Sequence, residues 1–315
     1  MRRTRTLARL APILVTMVAA LTGLTAARQQ EAAPAPEDPK VTGHVDILRQ
    51  FPSKHVEPRN VEVWLPPGYD TSRARYPVLY VHDGQNVFNP ETAYTKVDWG
   101  VDEAMTRLIA AGRVRPAIVV AIWNTSKRGP EYMPARPLAT PKGQKVLAAA
   151  PPGMRQRPIS DRYLKFIVEE LKPAIDRRYR ARRGRDDTMI MGSSMGGLIS
   201  LYALTEYPQV FGAAACLSTH WPIGDGIVLD YLAAALPRAG HHRLYFDFGT
   251  VGTDAPYEPF QRKADALLRA AGYVQGKDWV TRKFEGADHN ELAWRARIDT
   301  PLTFLLGTDA LDRSR

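Results

Sequence analysis

Near the middle of the chain, Gly192-Ser193-Ser194-Met195-Gly196 places a serine two residues from a glycine on either side. A nucleophilic serine needs such a frame when it sits on a sharp turn from a strand into a helix, because larger flanking side chains would strike neighbouring backbone. Thr188 to Gly192 reads as the strand and Leu198 to Pro208 as the helix. Ser194 is then the candidate nucleophile and Ser193 a small spacer. Its hydroxyl attacks only with help, from a histidine that takes the proton and an acid that orients the histidine.

On a parallel sheet these partners follow in the order serine, acid, histidine, each on a loop at the C-terminal end of a strand. His241 and His242 precede the strand Leu244 to Phe248 and belong to the opposite edge. His220 follows a strand, Ala213 to Ser218, but no acid-bearing strand lies between it and Ser194. His289, after Trp279 to Phe284 and before the last helix, is the candidate base. The acid is expected at Asp254, in the irregular stretch Gly249 to Tyr257, with Asp247 and Glu258 as alternatives. An oxyanion would need two backbone N–H donors, and Met195 and Gln85 offer them, the latter after the tight turn that Gly84 permits. His82 and Asp83 adjoin that turn, yet no second ligand cluster accompanies them, so no metal and no cofactor is expected.

These residues require strands that end on one edge. Short β-branched and aromatic runs occur at 61–65, 77–82, 117–123, 188–192, 213–218, 244–248 and 279–284, several of them continuously apolar as doubly buried strands are. Helical patterns alternate with them at 101–111, 161–179, 195–207, 227–236, 259–271 and 290–306. The alternation predicts an α/β fold, a mostly parallel sheet with helices on both faces and an antiparallel edge at the start. Thr125 to Ser160, rich in Pro, Gly, Lys and Arg, is expected to be a long loop rimming the site.

The 315 residues suffice for one large domain, expected over 41–310. Residues 1–27 carry four arginines, no acid and an apolar run ending in Thr25-Ala26-Ala27, the pattern of a secretory signal peptide, and 28–40 is an Ala/Pro-rich lead-in. A secreted or periplasmic protein is expected, without stable membrane insertion once the leader is cleaved. Without residues 1–27 the net charge falls from +10 to +6, and the basic run Arg177 to Arg183 reads as a solvated helix end rather than a nucleic-acid patch. The single cysteine, Cys216, excludes an internal disulfide and reads as a buried strand residue.

Together "RNVEVWLPPGYD" (59–70), "YPVLYVHDGQNVF" (76–88), "IVVAIWN" (118–124), "YLKFIVEELKPAIDRRYR" (163–180), "IMGSSMGGLISLYALTEYPQVFGAAACLS" (190–218) and "GADHNELAW" (286–294) resemble the Putative esterase family. This is the esterase D or enterochelin-esterase-like group of α/β hydrolases, which includes feruloyl and acetyl xylan esterases and mycolyltransferases. The resemblance implies the α/β-hydrolase fold, with Ser194, His289 and Asp254 in the catalytic roles and Gln85 and Met195 at the oxyanion hole. It also implies that Trp99, Asn124, Arg128 and Glu131 fall around a substrate pocket. Where family members often carry "SPSFW", this chain has "STHWP", which puts His220 and Trp221 at the acyl or leaving-group side. The function implied is hydrolysis of a carboxylic ester, carbohydrate-, aromatic-acyl- or siderophore-linked. An acyltransferase and a non-catalytic ligand-binding relative are the alternatives.

Overall fold

The doubly buried runs become the central strands of one eight-stranded sheet, in a computed structural model that describes residues 41–150 and 156–308. The expected signal peptide and lead-in lie outside the described residues. In chain order the elements begin with β1 (His44–Phe51), β2 (Arg59–Leu65), β3 (Val78–His82), α1 (Val101–Ala110), β4 (Ile118–Ile122), α2 (Arg128–Tyr132), α3 (Ala135–Ala139) and α4 (Pro141–Ala149). They continue with α5 (Ser160–Lys165), α6 (Lys172–Arg178), β5 (Thr188–Ser193), α7 (Met195–Glu206), β6 (Ala213–Leu217) and α8 (Ile227–Ala235). The last are β7 (Arg243–Gly249), α9 (Tyr257–Ala270), β8 (Trp279–Phe284), α10 (Glu291–Arg297) and α11 (Asp299–Leu306).

The strand order is β1-β2-β4-β3-β5-β6-β7-β8. Strands β1 and β2 pair antiparallel, as do β2 and β4, and the remaining strands are parallel, as expected. The register aligns His82 with Ile122, Ser193 with Leu217, and Gly249 with Phe284. One sheet edge therefore carries the C-terminal ends of six parallel strands, and the loops that leave it can converge.

Alternate strand residues feed two cores. Val78, Tyr80, Val120, Ile190 and Phe246 face one layer, with Phe166, Leu198, Tyr202 and Leu268. Leu79, Val81, Val119, Met191 and Tyr245 face the other, with Met105, Trp294, Leu302 and Leu305.

The structure departs from the sequence expectations in four places. β1 was not expected: it is an edge strand with no fully buried residue, so it lacks the apolar run that marks the others. Residues 125–160 are not a bare loop but hold α2, α3 and α4. The expected helix 161–179 is one helical run whose centre, Phe166–Leu171, is wound as a π-helix just before Pro173. Proline has no N–H for an i−4 carbonyl and its ring clashes there, and a local widening of the helix accommodates it. Finally, 290–306 is two helices, parted at Ile298.

Candidate active site

β5 ends at Ser193 and α7 begins at Met195, so the whole reversal falls on Ser194, at φ 58° and ψ −120°. For a residue with a Cβ such backbone costs about 1–3 kcal/mol and persists only where the surroundings impose it. Here Ser194 N–H donates to Leu217 O at 2.8 Å, and Ser194 O accepts from Gly197 at 3.0 Å and from His220 at 3.2 Å. The glycines follow from the same tightness. A Cβ on Gly192 would lie 2.7 Å from the Gly196 carbonyl group. Ser193 is buried, whereas Ser194 stays partly exposed with its hydroxyl bonded to no described residue.

The loops after β7 and β8 meet one another at the sheet edge where β5 ends. Asp254 Oδ1 lies 2.6 Å from His289 Nδ1, with Asp254 fully buried on a 3-10 turn, Gly252–Asp254. Its second oxygen accepts from the Ser218 hydroxyl at 2.5 Å and from Gly249 N–H at 2.7 Å. Burial works to raise this carboxyl, but the bonds from His289, Ser218 and Gly249 outweigh it and hold Asp254 below the ordinary range. An ionised partner at Nδ1 keeps the proton there and leaves Nε2 as the basic nitrogen. The His289 ring stands edge-on to Trp294 at 5.1 Å and to Tyr257 at 5.7 Å, and the His220 ring is 6.5 Å away.

The two alternative acids are engaged elsewhere. Asp247 is buried within β7, 3.0 Å from Arg297, from Ser218 N–H and from the Tyr245 hydroxyl. Glu258 faces solvent with Arg262 at 2.7 Å and Lys283 at 3.0 Å. Asp247 nevertheless serves the site indirectly, because Arg297 also donates to the Ser218 hydroxyl at 2.8 Å. Trp294 Nε1 donates to the same oxygen at 3.1 Å. With two N–H groups aimed at it, the Ser218 hydroxyl gives its own proton to Asp254. Ser218, Trp294, Arg297 and Tyr257 were not foreseen from the sequence, and the only local sign of Ser218 is its place at the end of a buried strand.

The turn Gly84–Asn86 follows β3. A Cβ on Gly84 would lie 2.6 Å from the Ala121 carbonyl carbon, so only glycine lets the turn rest on β4. Among the described residues the amides of Gln85 and Met195 have no hydrogen-bond acceptor, which is the state an oxyanion hole requires. Asp83 starts this turn at φ 57°, and its carboxylate is gripped by Arg128 Nε at 2.7 Å and Nη2 at 2.8 Å and by Asn124 Nδ2 at 2.6 Å. Burial opposes the charge, but Arg128 and Asn124 hold the Asp83 carboxyl below its usual range. Asn124 N–H also donates to the Gln85 side chain at 3.2 Å.

Asn124 and Arg128 therefore brace the loop that carries Gln85. Glu131 lies deeper, in a buried two-bond pair with Arg59 at 2.7 and 2.8 Å. Trp99 and Trp221 correct the pocket expectation. They are 0% and 1% exposed, Trp99 packed edge-on to Trp294 and Trp221 bonded to Gln261, so neither presents a face to a ligand. His220 does stand at the site, its Nδ1 2.6 Å from the Tyr257 hydroxyl. His82 is buried against Tyr163, and burial pushes it down to about 3, so it is a neutral core residue.

Residues 54–305 match the family model described as Putative esterase. The ferri-bacillibactin esterase BesA of Bacillus subtilis (strain 168) is 31% identical over 153 residues, 47% of this chain and 50% of that protein. Among solved structures, the enterobactin esterase FES of Shigella flexneri superposes with a TM-score of 0.61 at 20% identity, over 86% of this chain and 61% of that one. The ferulic acid esterase AmCE1/Fae1A of the fungus Anaeromyces mucronatus gives 0.57 at 20% identity, over 86% and 91%. At such identity the structural likeness is one of fold, and that fold is the α/β-hydrolase fold. The chain spans 50% of BesA and 61% of FES.

Proposed function

The chain belongs to the Putative esterase family, and on that premise we propose that it is a secreted or periplasmic serine esterase. Ser194 Oγ attacks the ester carbonyl carbon while His289 Nε2 takes its proton, and Asp254 stabilises the imidazolium that forms. The oxyanion of the tetrahedral intermediate lies between the Gln85 and Met195 amides. As the intermediate collapses, His289 returns the proton to the departing alcohol, leaving Ser194 acylated. A water, activated by the same histidine, then releases the acid and restores the serine.

One observation carries this reading. A serine is held in strained backbone at the end of β5, and the loops after β7 and β8 bring together a histidine and a buried carboxylate bonded to its Nδ1. Serine, acid and histidine follow in chain order on successive strand ends, which supports the reading. The names of BesA and FES, which are siderophore esterases, and of the ferulic acid esterase AmCE1/Fae1A support a siderophore-linked or aromatic-acyl ester as the substrate class. The leader pattern in residues 1–27 supports export.

Ser194→Ala tests the assignment. The wild type is expected to hydrolyse short p-nitrophenyl esters and to be labelled by a fluorophosphonate. The variant is expected to lose the label and about 10⁴- to 10⁶-fold in kcat. Undiminished turnover by the variant would sink the reading.

A further inference from the structure

Near His289 stands a second imidazole that the ester mechanism does not use, on a residue whose backbone is tied to that of Ser194. His220 N–H is bonded to Ser194 O at 3.2 Å, and the His220 ring is 6.5 Å from that of His289. Its Nδ1 lies 2.6 Å from the hydroxyl of Tyr257, a residue only 1% exposed.

That contact decides the tautomer. A buried phenol must give its proton to an acceptor, and the only one bonded to Tyr257 among the described residues is His220 Nδ1. Nδ1 is therefore unprotonated, and the proton of the neutral ring sits on Nε2. This atom bonds no described residue and is not among the fully buried polar atoms, and the residue is only half-buried, so the N–H is open to solvent. Burial, then the nearness of His289 and Arg128, keeps the ring from taking a second proton. A neutral imidazole N–H is too weak an acid to protonate a leaving alkoxide, a step that belongs to His289. It is a hydrogen-bond donor held by Tyr257 on a ring 6.5 Å from that of His289.

Resting on the esterase reading above, we propose that His220 is a substrate-binding residue whose Nε2–H donates to an acceptor oxygen carried by the ester a few bonds from its carbonyl. The preferred substrates then bear an ether, hydroxyl or carbonyl oxygen close to the scissile bond, and Tyr257 is the residue that positions the donor.

Two pairs of isosteric esters test this, each pair differing by one oxygen in place of a methylene. On the acyl side they are p-nitrophenyl methoxyacetate and p-nitrophenyl butyrate; on the alcohol side, 2-ethoxyethyl acetate and pentyl acetate. The ratio of kcat/KM within a pair, divided by the ratio for alkaline hydrolysis, cancels any general loss of activity or of folded enzyme. For the wild type it is expected to be about tenfold above unity in one pair, the worth of one hydrogen bond, and the pair concerned identifies the side of the ester. His220→Phe should bring it to unity, and His220→Gln, whose amide N–H reaches the position of Nε2–H, should restore part of it.

The tautomer is read separately from side-chain ¹⁵N spectra. The wild type is expected to show His220 protonated at Nε2, and Tyr257→Phe a mixture of tautomers. A ratio near unity in both pairs for the wild type, or one unchanged in His220→Phe, overturns the proposal while leaving the esterase reading intact. A wild type inert on all four esters would instead overturn the esterase reading.

Discussion

The Ser218 hydroxyl stands 2.5 Å from Asp254 Oδ2 and receives N–H groups from Trp294 and Arg297 at 3.1 and 2.8 Å, so its proton is committed to the carboxylate. Ser218 itself holds φ at 40°, where an added Cβ is strained but glycine is not. Ser218→Gly therefore removes the hydroxyl without opposing the backbone. A kcat reduction of about tenfold with little change in KM is expected, in keeping with one charge-assisted bond lost from the acid. Steady-state kinetics on a p-nitrophenyl ester measures it.

Asp254 and Asp247 should fail in different ways. Asp254→Asn keeps the shape but presents the wrong hydrogen-bonding group to His289 Nδ1, and kcat is expected to fall by about 10⁴ with the protein still folded. Asp247→Asn leaves Arg297 without its buried counter-charge. About 3–5 kcal/mol of stability should be lost, with a smaller effect on kcat in the molecules that remain folded. Urea unfolding alongside kinetics separates the two, and equal kcat losses would argue against Asp254 as the acid.

Arg128 braces the loop that carries Gln85 through Asp83, gripped at 2.7 and 2.8 Å. Arg128→Met should let the Gln85 amide drift, lowering kcat by up to about 10²-fold, the lower end of the loss from one oxyanion donor, while KM stays close to that of the wild type. Arg128→Lys keeps the charge but not the fork, and recovers only part of the rate. A large rise in KM with kcat unchanged would instead assign Arg128 to substrate binding.

The fold carries its own pH dependence at the start of α1. Asp102 accepts the Thr42 N–H at 2.7 Å, and burial, with Glu103 beside it, pushes its carboxyl from 3.8 to about 8. Between those values the folded state holds a proton that the unfolded chain has released. The contribution of this group to stability is thus full below the lower value and is lost as pH rises toward about 8. Asp102→Asn cannot ionise and still offers an oxygen to Thr42. Its Tm should change less than that of the wild type across this window, as differential scanning calorimetry at stepped pH would record.

Much of this protein is legible along the chain because the relevant physics is local. A turn as tight as the one at Ser194 admits only glycine at Gly192, where any Cβ meets Gly196, and that constraint is printed in five consecutive residues. Strands buried on both faces must be apolar throughout, which marks β3 to β7 and hence the order of the loops that carry Ser194, Asp254 and His289. Edge strand β1 and the short helices α2 to α4 escaped because they draw on partners elsewhere. β1 borrows its hydrogen bonds from β2, and Pro130, Pro134, Pro137 and Pro141 give α2 to α4 the look of a loop.

Tertiary structure decided which acid faces His289. Asp254, Asp247 and Glu258 are alike as residue types, and only the arrival of Arg297 from α10 at Asp247, and of Lys283 from β8 at Glu258, leaves Asp254 to His289. It also turned Trp99 and Trp221 inward, set Ser218 beside Asp254 and set Tyr257 beside the two histidines. Each of these contacts joins residues far apart in sequence. A side chain's partner, and with it its charge and tautomer, is defined only once the strands have brought their loops to a common edge.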